Sequence, residues 1–139
     1  MDEKTEIHFD AWNAEKKELH IRQEISLFHE REVWWCALGS NIGSEQDGKN
    51  DLFERPVVVF KKYNKDQLLI LPITSSEKES RYRIPIKSIG TYSGVRSSVI
   101  ISQMRTISSK RLLRKIGMVS IKEYLMIFFE LLKSLVVNM

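Results

Sequence analysis

The sequence predicts an α+β chain that is mainly β: a small antiparallel barrel with a helix before it, a short helix late in it and a third helix closing the chain. Across the middle of the chain, short runs alternate apolar with polar residues or fill with β-branched and aromatic ones. Polar turns, not helices, join these runs, as in compact all-antiparallel architectures. Helical periodicity is confined to the two ends and to one short basic stretch. With 139 residues the chain has the size of a single core, and it divides into an N-terminal helical extension over 1–30 and the barrel with its C-terminal helix over 31–139.

Residues 4–20 place Phe9, Trp12 and Leu19 on one stripe, with Glu15, Lys16, Lys17 and Glu18 mostly elsewhere, which predicts an amphipathic helix. Asp10 is an alternative cap for a shorter one. The stripe is thin, so this helix needs a surface to pack on. From Glu32 to Leu38 the chain reads as strand, with one of Trp34 and Trp35 facing inward. Residues 39–54 carry three glycines, two asparagines and two aspartates without periodicity, hence a long surface loop.

That loop ends at Arg55 and gives way to Pro56–Tyr63, apolar on both faces at first and then ending in Lys61 and Lys62, as a central strand emerging into solvent would. Asn64-Lys65-Asp66 makes a turn into Leu68–Thr74. An antiparallel hairpin of these two strands brings Arg55 near Thr74, so a guanidinium and a hydroxyl converge beside the Gly-rich loop. Ser75–Ser80 is a polar turn, Tyr82–Ile86 an edge or bulged strand because of Pro85, and Ser98–Ile107 a strand region bent near Ser102. Ser109–Ile116 reads as a short helix stopped by Gly117, with Met118 and Val119 adding a brief strand.

Ser120 and Glu123 form a capping-box pattern before the final helix. On it Ile121, Leu125, Phe128, Leu132 and Val136 share a face, while Met126, Phe129 and Val137 lie off it. A helix so apolar around its circumference needs cover on more than one side, which favours a homodimer or a protein partner. The segment Tyr124–Val137 is too short to span a bilayer and carries Glu130 and Lys133.

A net charge of +4 is compatible with a polyanionic partner and equally with a plain solubility margin. The single cysteine, Cys36, cannot form an internal disulfide, so a reducing cytoplasm is the expected location. No Cys/His spacing suggests zinc, and no cofactor or metal is expected. Behind Met1-Asp2-Glu3-Lys4 there is no apolar run, so no signal peptide is expected.

The motifs are more specific. Gly43-Ser44-Glu45-Gln46, a following glycine, and Arg55-Pro56-Val57-Val58-Val59 come first; then Pro72-Ile73-Thr74-Ser75, Ser102-Gln103-Met104-Arg105-Thr106-Ile107, Lys110-Arg111-Leu112 and Lys115-Ile116-Gly117. In this order, from about Glu32 to about Glu123, the chain resembles the PemK/MazF family of toxins from type II toxin-antitoxin systems. The basic core of that family lacks the first helix. The resemblance implies a small dimeric SH3-like barrel of the PemK/MazF/CcdB kind, an endoribonuclease (mRNA interferase) cutting single-stranded RNA without a metal, and silencing by a cognate antitoxin.

Arg55 and Thr74 are the catalytic candidates, matching by position residues this family uses for cleavage. Cleavage of a phosphodiester by the neighbouring 2′-hydroxyl needs charge stabilisation at phosphorus, and an arginine supplies two parallel donors to phosphate oxygens while a threonine adds one. The alternative for Thr74 is a strand-end hydroxyl satisfied by its own turn. Candidates for RNA binding are Glu32, Glu45, Gln46, Ser75 and Arg96. Glu32 and Glu45 are alternative proton acceptors, set against being ordinary surface carboxylates; Gln46 and Asn41 read base edges or shape the loop. Some relatives carry an arginine-aspartate pair before the strand corresponding to Val99–Ile101, whereas this chain has Gly94-Val95-Arg96-Ser97-Ser98 without a carboxylate. His29 reads as structural, and Arg105, Lys110, Arg111, Arg114 and Lys115 as an RNA-attracting cluster or a solvated basic face.

Two readings of other classes remain. One is a non-catalytic inhibitor like the CcdB toxins that bind DNA gyrase, whose C-terminal Trp-Gly-Ile is absent from Val136-Val137-Asn138-Met139. The other is an RNA-binding barrel that has lost catalysis.

Overall fold

The computed structural model describes residues 1–87, 89 and 97–136. In chain order it contains α1 (Glu3–Ile21), β1 (Glu32–Ala37), β2 (Glu54–Lys62), β3 (Gln67–Thr74), β4 (Arg83–Ile86), β5 (Ser97–Ile100), β6 (Arg105–Ser108), β7 (Leu112–Met118) and α2 (Ile121–Leu135), with single 3-10 turns at Ile101–Gln103 and Ser109–Arg111. The strands form one antiparallel sheet in the order β4-β5-β3-β2-β1-β7, with β6 also pairing β3. Among the described residues this path is open, with β4 and β7 at its two ends, so the expected closure into a barrel is not seen.

Alternation along the central strands divides the interior in two. Val33, Val58, Phe60, Leu71 and Ile73 face one core, capped by Ile127 and Leu131 of α2. Their neighbours Trp34, Cys36, Val57, Val59, Leu68 and Ile70 face the other, closed by Phe28, Ile107 and Leu112. Both faces of β2 are therefore covered, and this is why Val57–Phe60 is apolar without a break. Burial pushes the Cys36 thiol up to about 12, so this side chain acts as a small core hydrophobe.

The short helix expected over Ser109–Ile116 is absent. Only Ser109–Arg111 turn, and Leu112–Met118 run as β7 against β1. Two register shifts in this pairing, at Val33/Trp34 and Trp35/Cys36, break the strand's two-residue alternation, so Leu112 joins the core of Trp34 and Cys36 while Ile116 packs against that of Val33. The free edge of β1 decides the outcome, since a helix here would leave its ladder groups unpaired. At Ser102 the expected bend is the turn Ile101–Gln103 between β5 and β6.

The first helix is capped by Asp2, whose Oδ1 accepts the Thr5 N–H at 2.7 Å, so Asp10 lies within it. The last is capped by Ser120, whose hydroxyl oxygen accepts the Glu123 N–H at 3.1 Å. Tyr124 donates its hydroxyl to the Phe60 carbonyl at 2.8 Å. The face of α2 that packs is thus Tyr124, Ile127 and Leu131, while Ile121, Leu125, Phe128, Phe129 and Leu132 are exposed. No helix among the described residues is long and apolar enough to cross a membrane.

Candidate active site

Arg55 is the second residue of β2 and Thr74 the last of β3. The β2–β3 pairing ends at Val57–Pro72, and the same register continued two steps along each strand would set Arg55 across from Thr74. By alternation both lie on the face of Val57, Val59, Leu68 and Ile70, where that core runs out into solvent. The guanidinium Nη1 donates to the Ile73 carbonyl at 3.2 Å and Nε to the Asp47 carbonyl at 2.6 Å. Two main-chain acceptors on different segments thereby fix its plane. Thr74 is nearly buried and sits across from Ser98 of β5. Its Oγ1 accepts the Ser76 N–H at 3.1 Å, the local turn foreseen for it; this leaves the hydroxyl's own hydrogen available for donation.

Asp47 is held by a stitched loop. The Asn41 N–H donates to Asp47 Oδ1 at 2.6 Å, and the Asn41 amide donates to the carbonyls of Leu38 and Gln46 at 3.0 and 2.9 Å. The Gly48 N–H bonds the Gly39 carbonyl at 2.8 Å, and Lys49 exchanges main-chain bonds with Glu54. Gly48 has to be glycine because an added Cβ would lie 1.5 Å from the Phe53 carbonyl oxygen. That oxygen already accepts from both Leu38 and Gly39.

The first helix buttresses this loop root. Trp12 is packed onto Gly39, which adopts φ +87°, and a Cβ there would meet the indole at 2.1 Å. Its ring also lies 5.3 Å from that of Phe53, and the His8 ring lies 4.8 Å from that of Phe53. Over the indole, at 5.6 Å, is Arg111, which donates to the Ala37 carbonyl at 3.0 Å.

Beside the loop is a cleft of about 230 Å³ lined in part by Asn41, Glu45, Gln46, Gln103 and Arg105. Gln103 donates to the Ser44 carbonyl at 3.2 Å, joining the loop to the turn before β6. It was not singled out from sequence as a site residue, although its amide in the Ser102–Ile107 stretch was the available signal. Glu45 Oε1 accepts the Ile42 N–H at 3.1 Å and so shapes the loop as well as lining the cleft. Ser75 is exposed directly after Thr74. Arg96 lies outside the described residues.

Glu32 is not in this assembly. It starts β1, opposite Met118 and at the other end of the strand from the loop. Burial pushes its carboxyl up, but hydrogen bonds from Lys115, Trp34 and the His29 N–H outweigh this and hold it below the usual carboxylate value. Next to Arg55, Glu54 points to the opposite face, where a two-pronged bond from Arg114 at 2.8 and 3.0 Å, working against burial, keeps its carboxyl low. Among the described residues no group of three or more His, Cys, Asp or Glu is placed to hold a metal.

A model of the family described as PemK-like, MazF-like toxin of type II toxin-antitoxin system matches residues 29–135. No curated protein sequence matches the chain. Among solved structures it is similar to MazF from Deinococcus radiodurans, with a TM-score of 0.62 at 17% identity over 79% of this chain and 97% of the other. It is also similar to the Mycobacterium tuberculosis toxin MazF-mt6, with 0.59 at 15% identity over 78% and 100%. The MazE-MazF complex from D. radiodurans gives 0.57 at 16% identity over 84% and 100%. At such identities these likenesses establish the fold.

Proposed function

Since the chain belongs to the PemK-like, MazF-like toxin family of type II toxin-antitoxin systems, we propose that it is a metal-independent, sequence-selective endoribonuclease of the cytoplasm that cuts single-stranded RNA. What supports this reading is Arg55 at the start of β2, its guanidinium anchored to the Asp47 carbonyl and to that of Ile73, the residue before Thr74.

In the proposed reaction the 2′-hydroxyl of the nucleotide 5′ to the cut loses its proton and its oxygen bonds to the adjacent phosphorus. The bond to the leaving 5′-oxygen breaks, that oxygen takes up a proton, and a 2′,3′-cyclic phosphate remains. Because the nucleophile is part of the substrate, proximity is supplied without a metal. Arg55 offsets the charge that builds on the phosphoryl oxygens, and Thr74 donates a further hydrogen bond to the same group. Both donors are held in place beforehand, which is where such groups gain their effect. Gln46 and Gln103, facing the cleft with Asn41, carry amides of the kind that read base edges.

The uncovered apolar side of α2 fits a second copy of the chain, giving a homodimer. Similar structures include a mycobacterial endoribonuclease with its cognate antitoxin and MazF with MazE, and by the same reasoning a cognate antitoxin silences this chain. Digestion of a long defined RNA by the purified protein in EDTA, with the 5′ ends of the products mapped, tests the reading. Cuts at a recurrent short motif support it. Intact RNA, or cutting only with added magnesium, refutes it.

A further inference from the structure

A groove of about 480 Å³ runs between α1 and the turn that precedes β7. One wall, α1, lies outside the span matched by the family, 29–135, and the other lies inside it. Lys16, Lys17 and His20 from the helix and Lys110 and Arg111 from the turn contribute to its walls, and no carboxylate does. The acidic residues of the same helix, Glu3, Glu6, Asp10, Glu15 and Glu18, lie outside the lining. None of the four Lys and Arg side chains belongs to an ion pair among the described residues. Lys110 instead donates to the His20 carbonyl at 2.6 Å and Arg111 to that of Ala37 at 3.0 Å. The whole chain has a net charge of +4, so this one groove carries an excess as large as that of the molecule.

Two neighbouring arginines join the groove to the cleft beside the Gly-rich loop. Arg105 lines that cleft and donates to the Leu38 carbonyl at 3.4 Å, while Arg111 donates to the preceding carbonyl, Ala37. The two guanidiniums therefore grip consecutive residues at the end of β1. Burial, and then the closeness of Arg105, lowers the Arg111 pKa.

We propose that the groove between α1 and β7 binds the phosphodiester backbone of the single-stranded RNA that flanks the cut. The proposal rests on the reading of the chain as an RNA-cutting enzyme and extends its substrate path from the Gln46–Gln103 cleft past Arg105 and Arg111 to Lys16 and Lys17. Flexible lysines acting as point charges suit phosphates of any sequence. Trp12, only 6% exposed, supports the groove floor and is not a stacking platform. Base choice then belongs to the cleft, and the groove adds length-dependent affinity.

The test uses a long, fluorescent, 2′-O-methylated RNA that cannot be cut, with binding followed across salt concentrations for the full chain and for a Lys16→Gln/Lys17→Gln variant. Each phosphate contact on a single strand steepens log K against log salt by about 0.7, so losing two flattens the slope by about 1.4. The same change predicts affinity more than tenfold weaker at low salt. An unchanged slope and affinity in the variant overturns the proposal, as does a wild-type protein that does not bind the RNA. If an acidic peptide binds in a lysine-dependent way while RNA affinity is unaffected, the groove belongs to an acidic protein segment and the proposal falls. Cleavage of ordinary RNA by the wild type is scored separately: lysine-dependent binding without cleavage retains the groove and removes the enzyme.

Discussion

Arg55 Nε donates to the main-chain oxygen of Asp47 at 2.6 Å, tying the start of β2 to the loop that precedes it. With the Nη1 bond to Ile73, this sets the guanidinium in one plane before any substrate arrives. Replacing it with lysine keeps the charge but loses the fork and both anchors. Arg55→Lys and Arg55→Ala are each expected to lower cleavage by about 10²–10³-fold, the usual loss for one donor to a developing charge. Thr74→Ala falls in the same direction through its missing donor. Thermal melts should move only modestly, since lost hydrogen bonds of this kind cost about 1 kcal/mol each. Undiminished cleavage in both alanine variants contradicts the assignment.

Trp12 and Gly39 make the second prediction. Gly39→Ala places a Cβ within 2.1 Å of the indole at a backbone φ of +87°, so strain and clash add and a loss of about 1–3 kcal/mol or more is expected. Trp12→Ala removes the buttress from the other side, at about 3–5 kcal/mol, and Trp12→Phe less. Hydrogen exchange should quicken at the Gly48 and Lys49 amides in these variants, ahead of Val58 and Val59 in the central strand. Uniform protection in all of them would show that α1 does not order the loop.

The central hairpin, the first helix and the last helix were legible because their signals are local: an unbroken apolar run, a helical stripe, a Ser-x-x-Glu cap. The bond from Arg55 to the Ile73 carbonyl follows from the same local signal, since two neighbouring antiparallel strands bring the start of one near the end of the other. β7 was not legible. Its Leu112–Met118 run lacks a clean two-residue alternation because register shifts against β1 disturb it, and its partner is far away in sequence. The working face of α2 was also hidden: Ile121, Leu125, Phe128 and Leu132 make the better apolar stripe, yet Tyr124, Ile127 and Leu131 meet the sheet. Glu32 read as a free carboxylate because Lys115, which neutralises it at 2.9 Å, arrives from β7.

Glu32 and Glu54 give the pH prediction. Both carboxyls are lowered from 4.5 in the folded chain, so the unfolded chain binds more protons as the solution turns acid. Their contribution to stability is complete above about 4.5 and is lost as pH falls through the folded values. Denaturant midpoints should therefore drop below that pH. Lys115→Met and Arg114→Met each remove a partner from a buried carboxylate, so these variants should be weaker at neutral pH and show a smaller acid-induced drop. A wild-type midpoint that does not change on acidification would contradict this account.

The exposed side of α2 predicts assembly. Leu125→Lys together with Phe129→Lys places charges among residues that are 46% and 58% exposed in the single chain, so the fold should survive while association fails. Light scattering is expected to give twice the chain mass for the wild type and a single mass for the variant. A wild type of monomer mass without a partner rules out the homodimer.

The central claim is that the RNA supplies its own nucleophile and the protein, through Arg55 and Thr74, supplies the charge stabilisation. The most direct measurement compares two oligonucleotides with the same mapped cut site, one all ribose and one with a single 2′-deoxy sugar on the nucleotide 5′ to the cut, both in EDTA. The account predicts cleavage of the first to a 2′,3′-cyclic phosphate or its hydrolysed form and no cleavage of the second. Comparable cutting of the deoxy substrate, or an absolute need for magnesium, contradicts it.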